Sequence, residues 1–127
     1  MNEQKSSKYI LEFSAIKGHL DIVKYIAKRY IKDNYSGIYS TLYVSAARGY
    51  LDIVIYLFEE YHIDINIKNN YTLRISATNG HLNVVKYLIK CGADISANNN
   101  EALRMSAANG HLNVVKYLLG KKIIVNK

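Results

Sequence analysis

The 127-residue chain contains no proline and no tryptophan, and cysteine occurs once, at Cys91. A single thiol cannot close a disulfide within the chain, which points to a reducing, intracellular setting. Without proline, no first helical turn is pre-set by a fixed φ. Unbroken apolar runs are a few residues long, far short of the roughly 20 needed to cross a bilayer, so no membrane span is expected. The opening stretch, MNEQKSSKYILEFSAIKG, lacks the apolar run and small-residue cleavage site of a signal peptide. No G-x-x-x-x-G-K-[ST] phosphate loop occurs, no Ser, His and acid trio is suggested, and the carboxylates are scattered. Nothing here implies a cofactor or an enzyme.

Half of the residues are apolar, so the chain is expected to fold, as one domain or one short array. The composition leans on Asn, Ile, Lys and Tyr, all written by AT-rich codons. The twelve tyrosines are therefore not by themselves a sign of a binding surface. The net charge of +7 divides unevenly, as +3, −2, +3 and +3 over residues 1–30, 31–61, 62–91 and 92–127. Such a chain favours acidic partners and would hold a polyanion weakly and salt-sensitively. The acidic second segment interrupts any continuous basic stripe.

Order along the chain comes from repetition. GHLNVVKYL stands at 80–88 and again at 110–118, with GHLDIVKYI from Gly18 and GYLDIVIYL from Gly49. The four copies step by 31, 31 and 30 residues, a period that belongs to stacked repeats. In the third copy Leu82, Val85, Leu88 and Ile89 share one side of a helical wheel, with Asn83, Lys86 and Lys90 opposite. That pattern predicts an amphipathic helix ending at Gly92. A shorter helix around Leu73 and Ala77 should precede it and stop at Gly80. The small residues Ser76 and Ala77 let a neighbouring backbone approach. Each helix pair is too short to be stable alone, so the copies must stack and bury their faces on one another. The segments 68–70 (KNN) and 98–100 (NNN) read as turn tips of β-hairpin type, because Asn tolerates positive φ.

The block L-x-x-S-A-x-x-G-[HY]-L-x-[IV]-V-x-Y-[LI] recurs at Leu11–Ile26, Leu42–Leu57, Leu73–Leu88 and Leu103–Leu118. It resembles the ankyrin repeat family over nearly the whole chain. The resemblance implies an all-α solenoid of four helix-turn-helix repeats, at about 5–35, 36–66, 67–96 and 97–127, joined by short hairpin-like loops. The chain departs from the family's T-P-L-H, with Y-I-L-E (9–12), S-T-L-Y (40–43), Y-T-L-R (71–74) and E-A-L-R (101–104) in its place. The glycine that ends the second helix becomes Tyr30, Tyr61 and Lys122 in the other copies. The proline-free, Asn-rich style is similar to the large ankyrin families of amoeba-infecting giant DNA viruses.

Side chains that could carry chemistry fall into register instead of converging. His19, His81 and His111 share one position with Tyr50. Stacked helices lie about 8–10 Å apart, so these rings cannot share one ion, and the resemblance makes the histidine structural. Ser14, Ser45, Ser76 and Ser106 form a packing ladder. His62 is expected in an exposed loop, and Cys91 at a helix C-terminus that disfavours thiolate. Lys24, Lys86 and Lys116 form a ridge on the second helices. Tyr25, Tyr56, Tyr87 and Tyr117 follow one position later as partly buried rings.

Ankyrin-like proteins bind through turn tips and the outward side of the first helices. Carried over by position, that surface comprises Lys8, Lys17, Tyr39, Tyr43, Arg48, Lys68, Asn70, Arg74, Asn79, Asn98, Asn100, Arg104 and Asn109. Tyr39, Tyr43 and Arg48 have hot-spot chemistry. The expected function is a non-catalytic protein-binding module in the cytoplasm, of a host cell if viral; the alternative is a basic surface that associates with nucleic acid. The last helix is as apolar as the internal ones. Either Ile123, Ile124 and Val125 fold back over that end, or it is exposed and favours self-association or continuation of the array.

Overall fold

The computed structural model describes residues 3–31 and 35–125. Among them run eight α-helices and no strand. They are α1 (Glu3–Ile16), α2 (Leu20–Tyr30), α3 (Ser36–Arg48), α4 (Leu51–Tyr61), α5 (Ile67–Thr78), α6 (Leu82–Lys90), α7 (Ala97–Ala108) and α8 (Leu112–Val125). Successive helices pair, and the four pairs stack in two rows, α1-α3-α5-α7 and α2-α4-α6-α8. The first row packs more closely than the second, because it carries the small residues. Ala15, Ala46 and Ala77 are wholly buried between repeats.

The serine ladder serves that close packing. Each hydroxyl turns back on its own helix: Ser14 and Ser45 donate to Ile10 O and Thr41 O, and Ser76 and Ser106 to Leu73 O and Leu103 O. A buried hydroxyl is thus satisfied without a partner from the next helix. Each serine carbonyl in turn accepts from the backbone N–H of the residue after the glycine, as in His81 N to Ser76 O at 3.0 Å and Tyr50 N to Ser45 O at 2.9 Å. The turn between paired helices is closed by the same residue that separates neighbouring ones.

In α6 the buried side chains are Val84, Val85 and Leu88, while Leu82 and Ile89 are half-buried. The apolar stripe is wider than the periodicity predicts, because α6 packs against α4, α5 and α8 at once. Gly92 ends it at φ +99°, with Gly92 N bonded to Ile89 O and Ala93 N to Leu88 O. Where that glycine is replaced the ends differ. The left-handed residue after α4 is His62 (φ +50°), exposed as expected, and α2 gives way to extended backbone at Ile31. In α8 the helix does not stop at Lys122 and runs on to Val125. The side chains of Ile123, Ile124 and Val125 lie outside the described residues.

The turn tips are not β-hairpins. Lys68, Asn69 and Asn70, and again Asn98, Asn99 and Asn100, each form a run of three left-handed residues, with φ between +53° and +61°. Each run feeds straight into the first helix of its repeat. Asn tolerates this region better than other residues with a Cβ, which is why asparagine fills five of the six positions. The prediction of positive φ holds, and the strand pairing does not form.

One contact locks each repeat to the next. Gly49 and Gly80 adopt φ +80° and +79°, a conformation that disfavours a side chain, and they also leave space for a ring. A Cβ on Gly49 would lie 2.4 Å from His81 Nδ1, and one on Gly80 2.5 Å from His111 Nδ1. Gly18 receives the Tyr50 ring in the same way. Across this contact His81 Nε2 bonds to Ala47 O at 2.8 Å, and Tyr50 Oη donates to Ile16 O at 3.2 Å. Gly110 has φ +76° but nothing within 4 Å of the same point. Gly49→Ala and Gly110→Ala therefore share a backbone strain of about 1 kcal/mol, and only the first displaces a ring, which adds roughly 1–3 kcal/mol. Denaturant midpoints of the two variants check this; equal losses would show that the ring contact is dispensable.

Candidate functional site

The surface expected to bind runs over the turn tips and along the first helices, and the structure divides its residues into two groups. The first group is engaged in internal hydrogen bonds, two between repeats and two within one. Asn79 Nδ2 donates to Ala47 O at 3.1 Å and Asn109 Nδ2 to Thr78 O at 2.9 Å, so each ties its repeat to the preceding one. Asn70 is buried, and its Oδ1 accepts from Asp94 N at 2.9 Å. It faces the interior and not the accessible side of the tip. Asn100 is half-buried and accepts from Lys122 Nζ.

Arg74 and Arg104 have a role that sequence reasoning missed. Arg74 donates from Nε to Asn69 O and from a terminal nitrogen to Lys68 O, both at 3.0 Å. Arg104 repeats this with Asn99 O at 2.8 Å and Asn98 O at 3.2 Å. Three left-handed residues aim successive carbonyls outward, and the planar guanidinium gathers two of them. In these two repeats an arginine stands at the place of the missing T-P-L-H histidine and braces the tip. The readable signal was recurrence, since Arg74 and Arg104 each stand five residues after the middle residue of the tip.

The second group is less committed. Lys17, Arg48, Lys68 and Asn98 are exposed, and Tyr39 is half-buried near the start of α3. Asn98 Nδ2 donates to Glu101 Oε1 at 3.0 Å. Lys8 lies across Gly37, where a Cβ would come within 3.3 Å of its Cγ. Tyr43 is half-buried and meets Tyr71 edge to face, with ring centroids 4.9 Å apart. Burial, and then Tyr39, pushes the Tyr43 hydroxyl upward in pKa. Of the three residues with hot-spot chemistry, Tyr43 therefore works chiefly between repeats, whereas Tyr39 and Arg48 stand at the surface.

Tyr43–Tyr71 belongs to a series. The same pair of positions is joined by a hydrogen bond one junction earlier, Ser40 Oγ donating to Glu12 Oε1 at 2.7 Å. One junction later it is an ion pair, Arg74 to Glu101 at 2.8 Å. On the second helices, Lys24 Nζ lies 5.4 Å from the Tyr56 ring centre and Lys86 Nζ 5.6 Å from that of Tyr117. The lysine ridge is exposed, and Lys24 and Lys86 also cover the ladder tyrosine of the following repeat. Tyr56, Tyr87 and Tyr117 are half-buried, but Tyr25 is 61% exposed.

No three His, Cys, Asp or Glu side chains among the described residues are grouped to hold a metal ion. The histidine rings at 81 and 111 rest instead against the glycine of the preceding repeat. Cys91 is exposed after α6. A cavity of about 300 Å³ beside Ile89, Ala93–Ser96 and Lys121–Lys122 has one carboxylate, Asp94, in its wall.

The ion pair makes one junction sensitive to acid. The Arg74 hydrogen bond, with Asn98 adding a second, holds the Glu101 carboxyl below the usual glutamate range. A lowered folded pKa means stabilisation that is complete above the ordinary glutamate value and is lost as pH falls through the lowered one. The pair is partly solvated, so it contributes roughly 1 kcal/mol or less. Glu101→Gln should reduce the denaturant midpoint at neutral pH, and the gap from the native chain should close as the solution is acidified. A gap independent of pH would remove the ion pair as its cause.

No helix among the described residues is long and apolar enough to cross a membrane. No curated protein matches the chain. A family model described as Ankyrin repeats (3 copies) matches residues 68–127, and repeats of that family are generally protein–protein interaction modules, typically without catalysis. With the two helix pairs upstream stacked through the same glycine–ring contacts as the two that the model matches, the eight helices form one all-α solenoid of four helix pairs, consistent with an ankyrin-repeat solenoid.

Proposed function

We propose that the chain is a non-catalytic module that binds an acidic protein surface through the first-helix side of its leading half. The observation that carries this reading is the contrast between equivalent positions. At the residue before each glycine, Asn79 and Asn109 bond across to the preceding repeat, whereas Lys17 and Arg48 extend into solvent as cations. Tyr39 adds an aromatic surface on the same helix as Arg48. Aromatic and arginine side chains together supply the large, desolvating contacts that dominate interfaces. A stack braced at every junction presents them with little rearrangement, which keeps the ordering cost of binding low.

The composition and the GHLNVVKYL style support a finer reading, in which the chain is a viral adaptor that recruits a host protein in the cytoplasm of an infected cell. The lone, exposed Cys91 fits a reducing compartment. The net charge of +7 favours one competing reading, a basic surface that associates with nucleic acid. The experiment is a pull-down from nuclease-treated host-type lysate, comparing the native chain with Tyr39→Ala/Arg48→Ala. A protein held by the native chain and lost by the folded double variant, at least tenfold reduced, is the expected result. Retention of nothing after nuclease, with RNA or DNA co-purifying when nuclease is omitted, would move the polyanion reading ahead.

A further inference from the structure

Every junction inside the array joins the trailing face of one repeat to the leading face of the next by two recurring contacts: a ring enters the glycine seat, and the position held by Glu12, Tyr43 and Arg74 meets that held by Ser40, Tyr71 and Glu101. At the first and third junctions a lysine also covers a tyrosine; at the second, Ile55 stands at the lysine position. Among the described residues, the two ends of the array carry the unmatched halves of this set. At the leading end His19 is exposed, with no glycine seat among the described residues, and Tyr25 lies open. Ile22 is 41% exposed there, although Ile53 and Val84 at the same position are wholly buried. Phe13 is 66% exposed.

The trailing end is the complement. Gly110 has its positive φ and an empty seat. Ala107 is exposed where Ala15, Ala46 and Ala77 are wholly buried, and Leu112 is 60% exposed. Arg104 and Lys116 are exposed beside them.

We propose that the trailing end of one chain stacks on the leading end of a second copy and so continues the array head to tail. His19 of the added copy enters the Gly110 seat and meets the Ala108 carbonyl, as His81 meets Gly49 and Ala47. Tyr25 goes beneath Lys116, as Tyr56 lies beneath Lys24, and Tyr9 stands opposite Arg104, where a ring replaces the carboxylate of Glu101. Phe13 and Ile22 cover Ala107 and Leu112. The occupant is a second copy because both halves of one interface, already used three times within the chain, are carried by the same molecule and match position by position. The contact is heterologous, so copies add in one direction and do not stop at a closed pair. The net charge of +7 opposes approach, and the matched faces are largely apolar and aromatic, so added salt strengthens the assembly by screening repulsion.

Sedimentation equilibrium of the full chain over rising concentration, with two variants, tests this. Phe13→Glu blocks the leading end and Leu112→Glu the trailing end; both positions are exposed, and circular dichroism verifies that each variant keeps its helices. The native chain should exceed twice its 14.5 kDa mass as concentration rises. Each variant alone should remain monomeric, and an equimolar mixture should give a two-chain complex and nothing larger. A native chain that stays monomeric to about 1 mM, the weak end of specific association, overturns the proposal. So does a variant that pairs with itself, or a mixture that stays monomeric.

Discussion

Three times along the array, a phenol or imidazole ring rests against a glycine that has no Cβ to push it away. The glycine is held at positive φ by the turn between its own two helices, so the requirement for the turn and the requirement for the neighbour coincide in one residue. The ring residue is equally constrained. Its backbone N–H closes its own turn on a serine carbonyl, and its side chain reaches a carbonyl of the preceding repeat in the Tyr50 and His81 cases. Helices of nine to fourteen residues have little stability in isolation. Their persistence depends on this registration, which sets Val23, Val54 and Val85 into a continuous core.

Around this constant contact the chemistry of each junction varies. The Glu12–Ser40, Tyr43–Tyr71 and Arg74–Glu101 pairs occupy equivalent places, yet one is a neutral-to-charged hydrogen bond, one an aromatic edge and one an ion pair. Variation between copies is thus compatible with a purely internal role, provided that both partners change together. Lys17 and Arg48 differ from this, since they are exposed at a position whose later occupants bond inward. At this position the first half of the array keeps exposed cations, and the second half is tied to the preceding repeat.

The helix pairs, the glycine turns and the structural place of His81 and His111 were legible because each rests on local spacing repeated along the chain; His19, read the same way, is exposed with no preceding repeat among the described residues. The turn tips were only half legible. Asparagine announces positive φ, but whether such a run folds into a hairpin or a left-handed turn depends on Arg74 and Arg104 arriving from a later turn of helix. Val84 escaped the periodic reading because burial from neighbouring repeats is not written in one helix's own pattern. The candidate surface was least legible. Asn70, Arg74, Asn79, Asn100 and Asn109 were chosen by position, and their engagement with neighbouring carbonyls, amides and side chains follows from three-dimensional register. Their identity in the last two copies, Asn70 with Asn100, Arg74 with Arg104 and Asn79 with Asn109, was the available clue.

The inter-repeat hydrogen bonds that brace the array span at most 34 residues of chain. A structure built only from such near neighbours has low contact order, and its assembly can begin at any adjoining pair and spread outward. It follows that duplication of one 30- or 31-residue unit inside the gene lengthens the protein without asking any distant residue to change, because the newcomer brings its own seat and its own ring.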